Sequence, residues 1–89
     1  MKFSLFVHME RLDASQDHKT LHEEFVTLCE IADRGGMHAI WTGEHHGLGF
    51  TIAPNPFVTI ADLARRPKTA RLGTATVIPP PCPPLKLAA

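Results

Sequence analysis

The sequence has no excess charge of either sign: nine Lys and Arg balance nine Asp and Glu over 89 residues. That balance argues against a nucleic-acid-binding tail and against a polybasic membrane patch. No run approaches the roughly 18 apolar residues of a membrane span. The N-terminus lacks the basic stretch, apolar core and cleavage site of a secretory leader. Cysteine is scarce. Cys29 and Cys82, the only two, form neither a disulfide framework nor a CxxC metal pattern. A soluble cytoplasmic protein is the expectation. At 9.8 kDa the chain allows one small domain at most. Its 44% apolar and 20% charged residues argue against disorder by composition.

Acid is also missing from one end. All nine acids lie at or before Asp62, while 63–89 carries Arg65, Arg66, Lys68, Arg71 and Lys86. Five of the eight prolines fall between Pro79 and Pro84. A chain that stops soon after such a segment reads as a truncated piece of something longer.

What is present is regular. Residues 2–8 form a short apolar run with Phe3, Leu5, Phe6 and Val7, which reads as a buried strand. From Thr20 the period changes: Leu21, Phe25, Leu28 and Ala32 fall on one helical face, widened by Cys29. Thr20 and Glu23 fit a capping box, and Gly35-Gly36 fits a C-terminal stop, so a helix is expected at about 20–34. Residues 38–43 read as a second strand with Ile40 and Trp41. Asn55-Pro56 opens a second helix through Phe57, Val58, Ile60, Leu63 and Ala64. Arg65-Arg66 suits the negative end of its dipole, and Pro67 stops it. Residues 71–78 form a third strand, after which the prolines are expected to run extended.

The order is β-α-β-α-β with a repeat of about 33–35 residues. Single helices between strands imply parallel pairing and right-handed crossovers. Two architectures fit: a doubly wound sheet, or the first three strands of a (β/α)8 barrel, incomplete here. Neither GxGxxG nor GxxxxGK[ST] occurs, which weighs against nucleotide-binding open sheets. Eight units at this repeat require roughly 270 residues, the size of a typical barrel. A three-stranded piece leaves a strand edge open, and alone it is expected to be marginal, oligomeric or aggregation-prone.

In either architecture ligands meet the carboxyl ends of the strands. His8 and Met9 end the first strand, Glu44-His45-His46 the second, and Thr74–Thr76 lies in the third. A histidine at a pocket mouth can exchange a proton near neutral pH, and a nearby carboxylate can orient it. Adjacent histidines in a polar loop are equally well explained as solvent-exposed. A zinc site is a third reading, disfavoured because consecutive side chains diverge and HExxH is absent. Trp41 walls a flat cofactor or, more commonly for such residues, joins the core. Gly73-Thr74-Ala75-Thr76 admits close approach of a ligand or tight packing on a helix. His22 and His38 read as structural, Cys29 as buried, and Cys82 has no acid or base beside it in sequence.

MKFSLF, WTGEHHG, NPFVTIADLA and RLGTATVI, in this order and spacing, resemble the N-terminal portion of the bacterial luciferase-like flavin-dependent monooxygenases over residues 1–80. The resemblance implies that 1–89 is the truncated N-terminal part of a (β/α)8 barrel, dimeric when full length. It implies reduced FMN and O2 as cosubstrates, a small organic substrate, and an NAD(P)H-dependent flavin reductase as partner. In some relatives the deazaflavin F420 takes the place of FMN for hydride transfer. By position His45 matches the family's acid/base histidine, with Glu44 and His46 as its flanking motif. Ala75-Thr76 matches a non-proline cis peptide lying against the flavin ring; Thr74 and Trp41 are added as cofactor-lining candidates on the residue reading above. The likeness stops after the third strand, where Pro83 stands in place of a histidine and the acid opening the next helix is absent. The 89 residues alone are therefore expected to be inactive. A non-catalytic remnant, serving only as an interaction module, is the alternative from another class.

Overall fold

In the computed structural model, residues 1–53, 55–80 and 83–88 are described. Three strands, β1 (Ser4–Phe6), β2 (Ala39–Thr42) and β3 (Arg71–Thr74), pair in parallel in the order β1-β2-β3. The helices α1 (His18–Arg34) and α2 (Pro56–Leu63) make the two crossovers. The register aligns Leu5, Ile40 and Leu72 in one row and Phe6, Trp41 and Gly73 in the next. Successive side chains alternate between faces, so these rows point to opposite sides of the sheet.

The row through Ile40 is the one the helices cover. Ile40 and Leu63 are each 1% exposed, and both join a cluster with Leu21, Phe25, Val26 and Cys29 of α1. The opposite row stays open, with Phe6 53% and Trp41 39% exposed. A parallel sheet with helices on one face and large side chains left open on the other fits the wall of a barrel.

The start of α1 differs from the expected capping box. Asp17, three residues before Thr20, is the N-cap, accepting hydrogen bonds from the backbone N–H of Lys19 (3.0 Å) and Thr20 (2.9 Å). A carboxylate satisfies two of the orphan amides, and the Thr20 hydroxyl turns back to it as well. Glu23 is left to face Lys19 at 3.8 Å. At the other end Gly36 takes the left-handed conformation (φ +80°) that the stop requires. Leu28 departs from the expected stripe. It is 43% exposed because the buried face runs through Leu21, Phe25, Val26, Cys29 and Ala32, one position round.

α2 begins as its sequence indicates. The Asn55 side chain accepts from the backbone N–H of Phe57 (3.1 Å) and Val58 (3.4 Å), with Pro56 following at the first helical position. The helix ends at Leu63, so Arg65 and Arg66 lie beyond it, and Arg66 reaches back to Asp62 at 4.0 Å. β3 is half the expected length: after Thr74 one more backbone bond, Ala75 N–H to Thr42 O (2.8 Å), closes the ladder. A short helix α3 (Pro84–Ala88) replaces part of the expected extended run, proline being tolerated in a first helical turn. Pro81 and Cys82 lie outside the described residues.

The amino-terminal edge of the sheet is tied by Asp33. Its carboxylate accepts hydrogen bonds from the backbone N–H of Lys68 (2.8 Å), Thr69 (3.0 Å) and Ala70 (2.7 Å), fixing the entry to β3. Among the described residues no helix is long and apolar enough to cross a membrane.

Candidate active site at the carboxyl ends of the strands

Parallel pairing carries three chain segments to one edge: His8 beyond β1, Gly43–His46 beyond β2, and Ala75–Ile78 beyond β3. Val7 N–H donates to Trp41 O (3.0 Å), so β1 stays beside β2 up to His8. Two residues on from Phe6, His8 shares its face, and the two rings meet edge to face at 4.4 Å. The imidazole of His8 then lies across the next strand at Gly43. A Cβ there would sit 2.6 Å from His8 Cε1, so only glycine leaves the ring its seat.

His45 closes on the same ring. Its Nε2 lies 3.0 Å from His8 Nδ1, with ring centroids 4.7 Å apart. One hydrogen occupies the space between two such nitrogens, so one ring donates and the other accepts. The backbone of His45 is fixed separately, its N–H donating to Ala53 O at 3.2 Å.

Glu44 turns elsewhere. The carboxylate expected to orient His45 instead meets His46 Nε2 at 2.5 Å and accepts from the backbone N–H of Ile78 at 2.8 Å. Its side chain is only 7% exposed. The Ile78 amide, followed by His46, holds the Glu44 carboxyl below its ordinary range. The tripeptide thus divides its work: His45 joins His8, while Glu44, itself bonded to His46, braces the chain leaving β3.

The third segment completes the floor. Ala75 follows Gly73 on the open face, and the Ala75–Thr76 peptide is cis, at the position where the resemblance placed such a bond. The Trp41 indole lies over Gly73, where a Cβ would be 2.5 Å from its Cε3. Thr76 is exposed. Thr74 does not join this group: its register partner is Thr42, 2% exposed on the helix-covered face. Trp41, Ala75 and His45 therefore share one surface, and Thr74 backs it.

Above the edge, the loops after β1 and β2 are laced together. Arg11 N–H donates to Phe50 O (2.5 Å), Ile52 N–H to Met9 O (3.3 Å), and the Arg11 guanidinium to Gly49 O through Nε (3.1 Å). They border an open cleft of about 370 Å³ lined by Arg11, His18, His45, His46 and Thr51 among others. Among the described residues, no group of three or more His, Cys, Asp or Glu is placed to hold a metal ion. Position at a strand end marks His8 in the sequence, but its partner 37 residues on becomes visible only with the register. Arg11 has no sequence signal, since it bonds backbone carbonyls.

The luciferase-like monooxygenase family model matches residues 1–89. The chain is 65% identical over 88 residues to the oxygenase component of the flavin-dependent trigonelline monooxygenase of Acinetobacter baylyi, a match covering 99% of this chain and 24% of that protein. It is 30% identical over 86 residues to the alkanal monooxygenase alpha chain of the Kryptophanaron alfredi symbiont, covering 97% and 24%. Among solved structures, the oxygenating constituent of 3,6-diketocamphane monooxygenase from the CAM plasmid of Pseudomonas putida superposes with a TM-score of 0.85. That protein is a type II Baeyer–Villiger monooxygenase in complex with FMN; at 22% identity, covering 99% of this chain and 24% of that one, the likeness is one of fold. The chain spans about a quarter of the length of these relatives.

Proposed function

The chain belongs to the luciferase-like monooxygenase family, and from that premise we propose that residues 1–89 form the N-terminal part of a (β/α)8 barrel that oxygenates a small organic substrate with reduced FMN and O2. Its relatives are monooxygenases, one of them the oxygenase component of a flavin-dependent system. The observation that carries the reading is the open sheet face on which Trp41, Ala75 and the His45–His8 pair lie together.

That face fits a planar ring system. Gly73 and Ala75 present little beyond backbone, Trp41 supplies a flat apolar wall, and the histidines stand at one rim. In this reading Trp41, Ala75 and Thr76 line the flavin, and Thr74 supports them from behind. Bound there, reduced flavin would supply the electrons that activate O2. His45 exchanges a proton with the reacting groups through Nδ1, the nitrogen turned away from His8. Glu44, itself bonded to His46, keeps the segment after β3 in place. Phe6 and Trp41 help exclude water, which an oxygen-activating site requires. A flavin reductase as electron donor and a dimeric full-length protein complete the proposal. Trigonelline, named for the Acinetobacter relative, is the first substrate to test.

The test mixes the full-length protein with reduced FMN, O2 and trigonelline and follows oxygenated product by mass spectrometry. His45→Ala is expected to lower turnover by about 10²-fold or more. Unchanged turnover in that variant removes His45 from the chemistry. Tight binding of reduced F420 without binding of reduced FMN replaces the monooxygenase reading with a hydride-transfer one. The absence of any reduced-cofactor binding favours a non-catalytic module.

A further inference from the structure

We propose that His8 is a positioning residue for His45: it fixes the ring's orientation and determines which His45 nitrogen carries the proton offered to the reaction. The inference rests on the proposed function, because it assigns a role beside the acid/base group of that reading.

The geometry is specific to this pair. His45 Nε2 and His8 Nδ1 are 3.0 Å apart, and each residue has a further contact of its own. His8 is held at its edge by Phe6 (4.4 Å, 83°) and from below by the bare backbone of Gly43. His45 is anchored by its own N–H to Ala53 O. A neutral imidazole carries one hydrogen, so the hydrogen bond to His8 couples the two ring nitrogens of His45. When His8 Nδ1–H donates, His45 Nε2 accepts and His45 Nδ1 bears the hydrogen, ready to be given. When His45 Nε2–H donates, His45 Nδ1 is a lone pair, ready to receive. The partner of a histidine thus sets the role of its other nitrogen.

Among the described residues no carboxylate is hydrogen-bonded to either ring. Glu44, adjacent in sequence, is engaged by His46 and the Ile78 amide. The other titratable groups lining the cleft with His45 are Arg11, His18 and His46, all donors when charged. The Arg11 guanidinium is directed at the carbonyls of Gly49 and Ala14. His8 is therefore the partner through which the protein controls His45.

The test uses the full-length protein and three variants. His8→Leu removes the hydrogen bond, His8→Asn retains a polar atom near the Nδ1 position, and His45→Ala is run in parallel. His8→Leu is expected to lower kcat about tenfold or more, with the KM for substrate and the affinity for FMN within about twofold of wild type. Its kcat pH profile is expected to shift, and His8→Asn to recover most of the lost rate and the original profile. Independently of turnover, ¹⁵N NMR of labelled histidines is expected to show a changed His45 tautomer in His8→Leu and a restored one in His8→Asn. An unchanged tautomer in His8→Leu overturns the proposal, as does a His8→Asn variant no better than His8→Leu. Unchanged turnover in His45→Ala overturns the underlying reading instead, and the NMR result still decides the pairing.

Discussion

The Glu44 carboxylate accepts a hydrogen bond from the backbone N–H of Ile78 at 2.8 Å, tying the exit of β2 to the chain 34 residues later. This side chain is almost buried, and the bond favours its ionised form. Hydrogen bonds to charged groups contribute about 1.5–3 kcal/mol. Glu44→Ala should therefore destabilise the protein by that order, and Glu44→Gln, which keeps an acceptor oxygen, by less. The folded-state pKa lies below the unfolded one, so the contribution is complete above the ordinary glutamate range. It is lost as pH falls through the lower folded value. Urea melts of wild type and Glu44→Ala at stepped pH should converge in acid; a constant gap would show that the carboxylate charge does not matter.

Asp33 makes a second prediction of the same sign at the opposite edge of the sheet. Three consecutive backbone N–H groups, from Lys68 to Ala70, and the Thr69 hydroxyl point at one carboxylate. The backbone bonds, that of Lys68 foremost, hold its pKa far below the ordinary aspartate range. Asp33→Ala leaves those amides without their acceptor and frees the entry to β3. Its melting temperature should fall well below wild type at neutral pH. The gap should begin to close once pH drops through the ordinary aspartate value and keep closing far into acid. A gap that is the same at pH 7 and pH 3 would refute the assignment.

These two carboxylates show what can be read from sequence and what cannot. The strand–helix alternation and the Asn55-Pro56 start were legible because each depends on neighbours within a few residues. The strand-end position of Glu44-His45-His46 was legible for the same reason. The capping of α1 was local too, but Asp17 outcompetes Thr20 because a carboxylate accepts from two amides at once. The long-range partners of His45, Glu44 and Asp33 lie 34 to 37 positions away. They depend on the lateral register of parallel strands, which a one-residue slip would invert. For that reason EHH reads as one motif in the sequence and as two separate contacts in the fold.

Cys29 should be chemically silent in the folded protein. It is 0% exposed among Leu21, Phe25 and Ile40, and burial, with the Glu30 charge second, pushes its thiol up to about 11. Alkylation depends on the thiolate and on access, and both are denied here. Iodoacetamide at pH 8 followed by peptide mapping should leave Cys29 unmodified until denaturant is added. The fold favours the neutral thiol, so its contribution is present below the unfolded value and lost as pH rises from about 9 towards about 11. Cys29→Ser, which places a hydroxyl in this apolar setting, should destabilise by about 1–3 kcal/mol. Rapid labelling of the native protein would contradict the packing.

Gly73 and Trp41 test the open face directly. An alanine Cβ at Gly73 would press on the Trp41 indole at Cζ3, Cε3 and Cη2. The ring is on the bare side of the sheet and 39% exposed, so it can yield, but only by leaving the place where it walls the proposed flavin surface. Gly73→Ala should therefore weaken FMN binding by about tenfold, while the cost in stability stays at or below about 1 kcal/mol because the indole can move aside. A double-mutant cycle separates the two causes. In a Trp41→Ala background the indole is gone, so adding Gly73→Ala should bring little further loss of stability or of FMN affinity. If the second substitution is as damaging there as in the wild type, the glycine is required by something other than Trp41. The two residues then do not act as one surface.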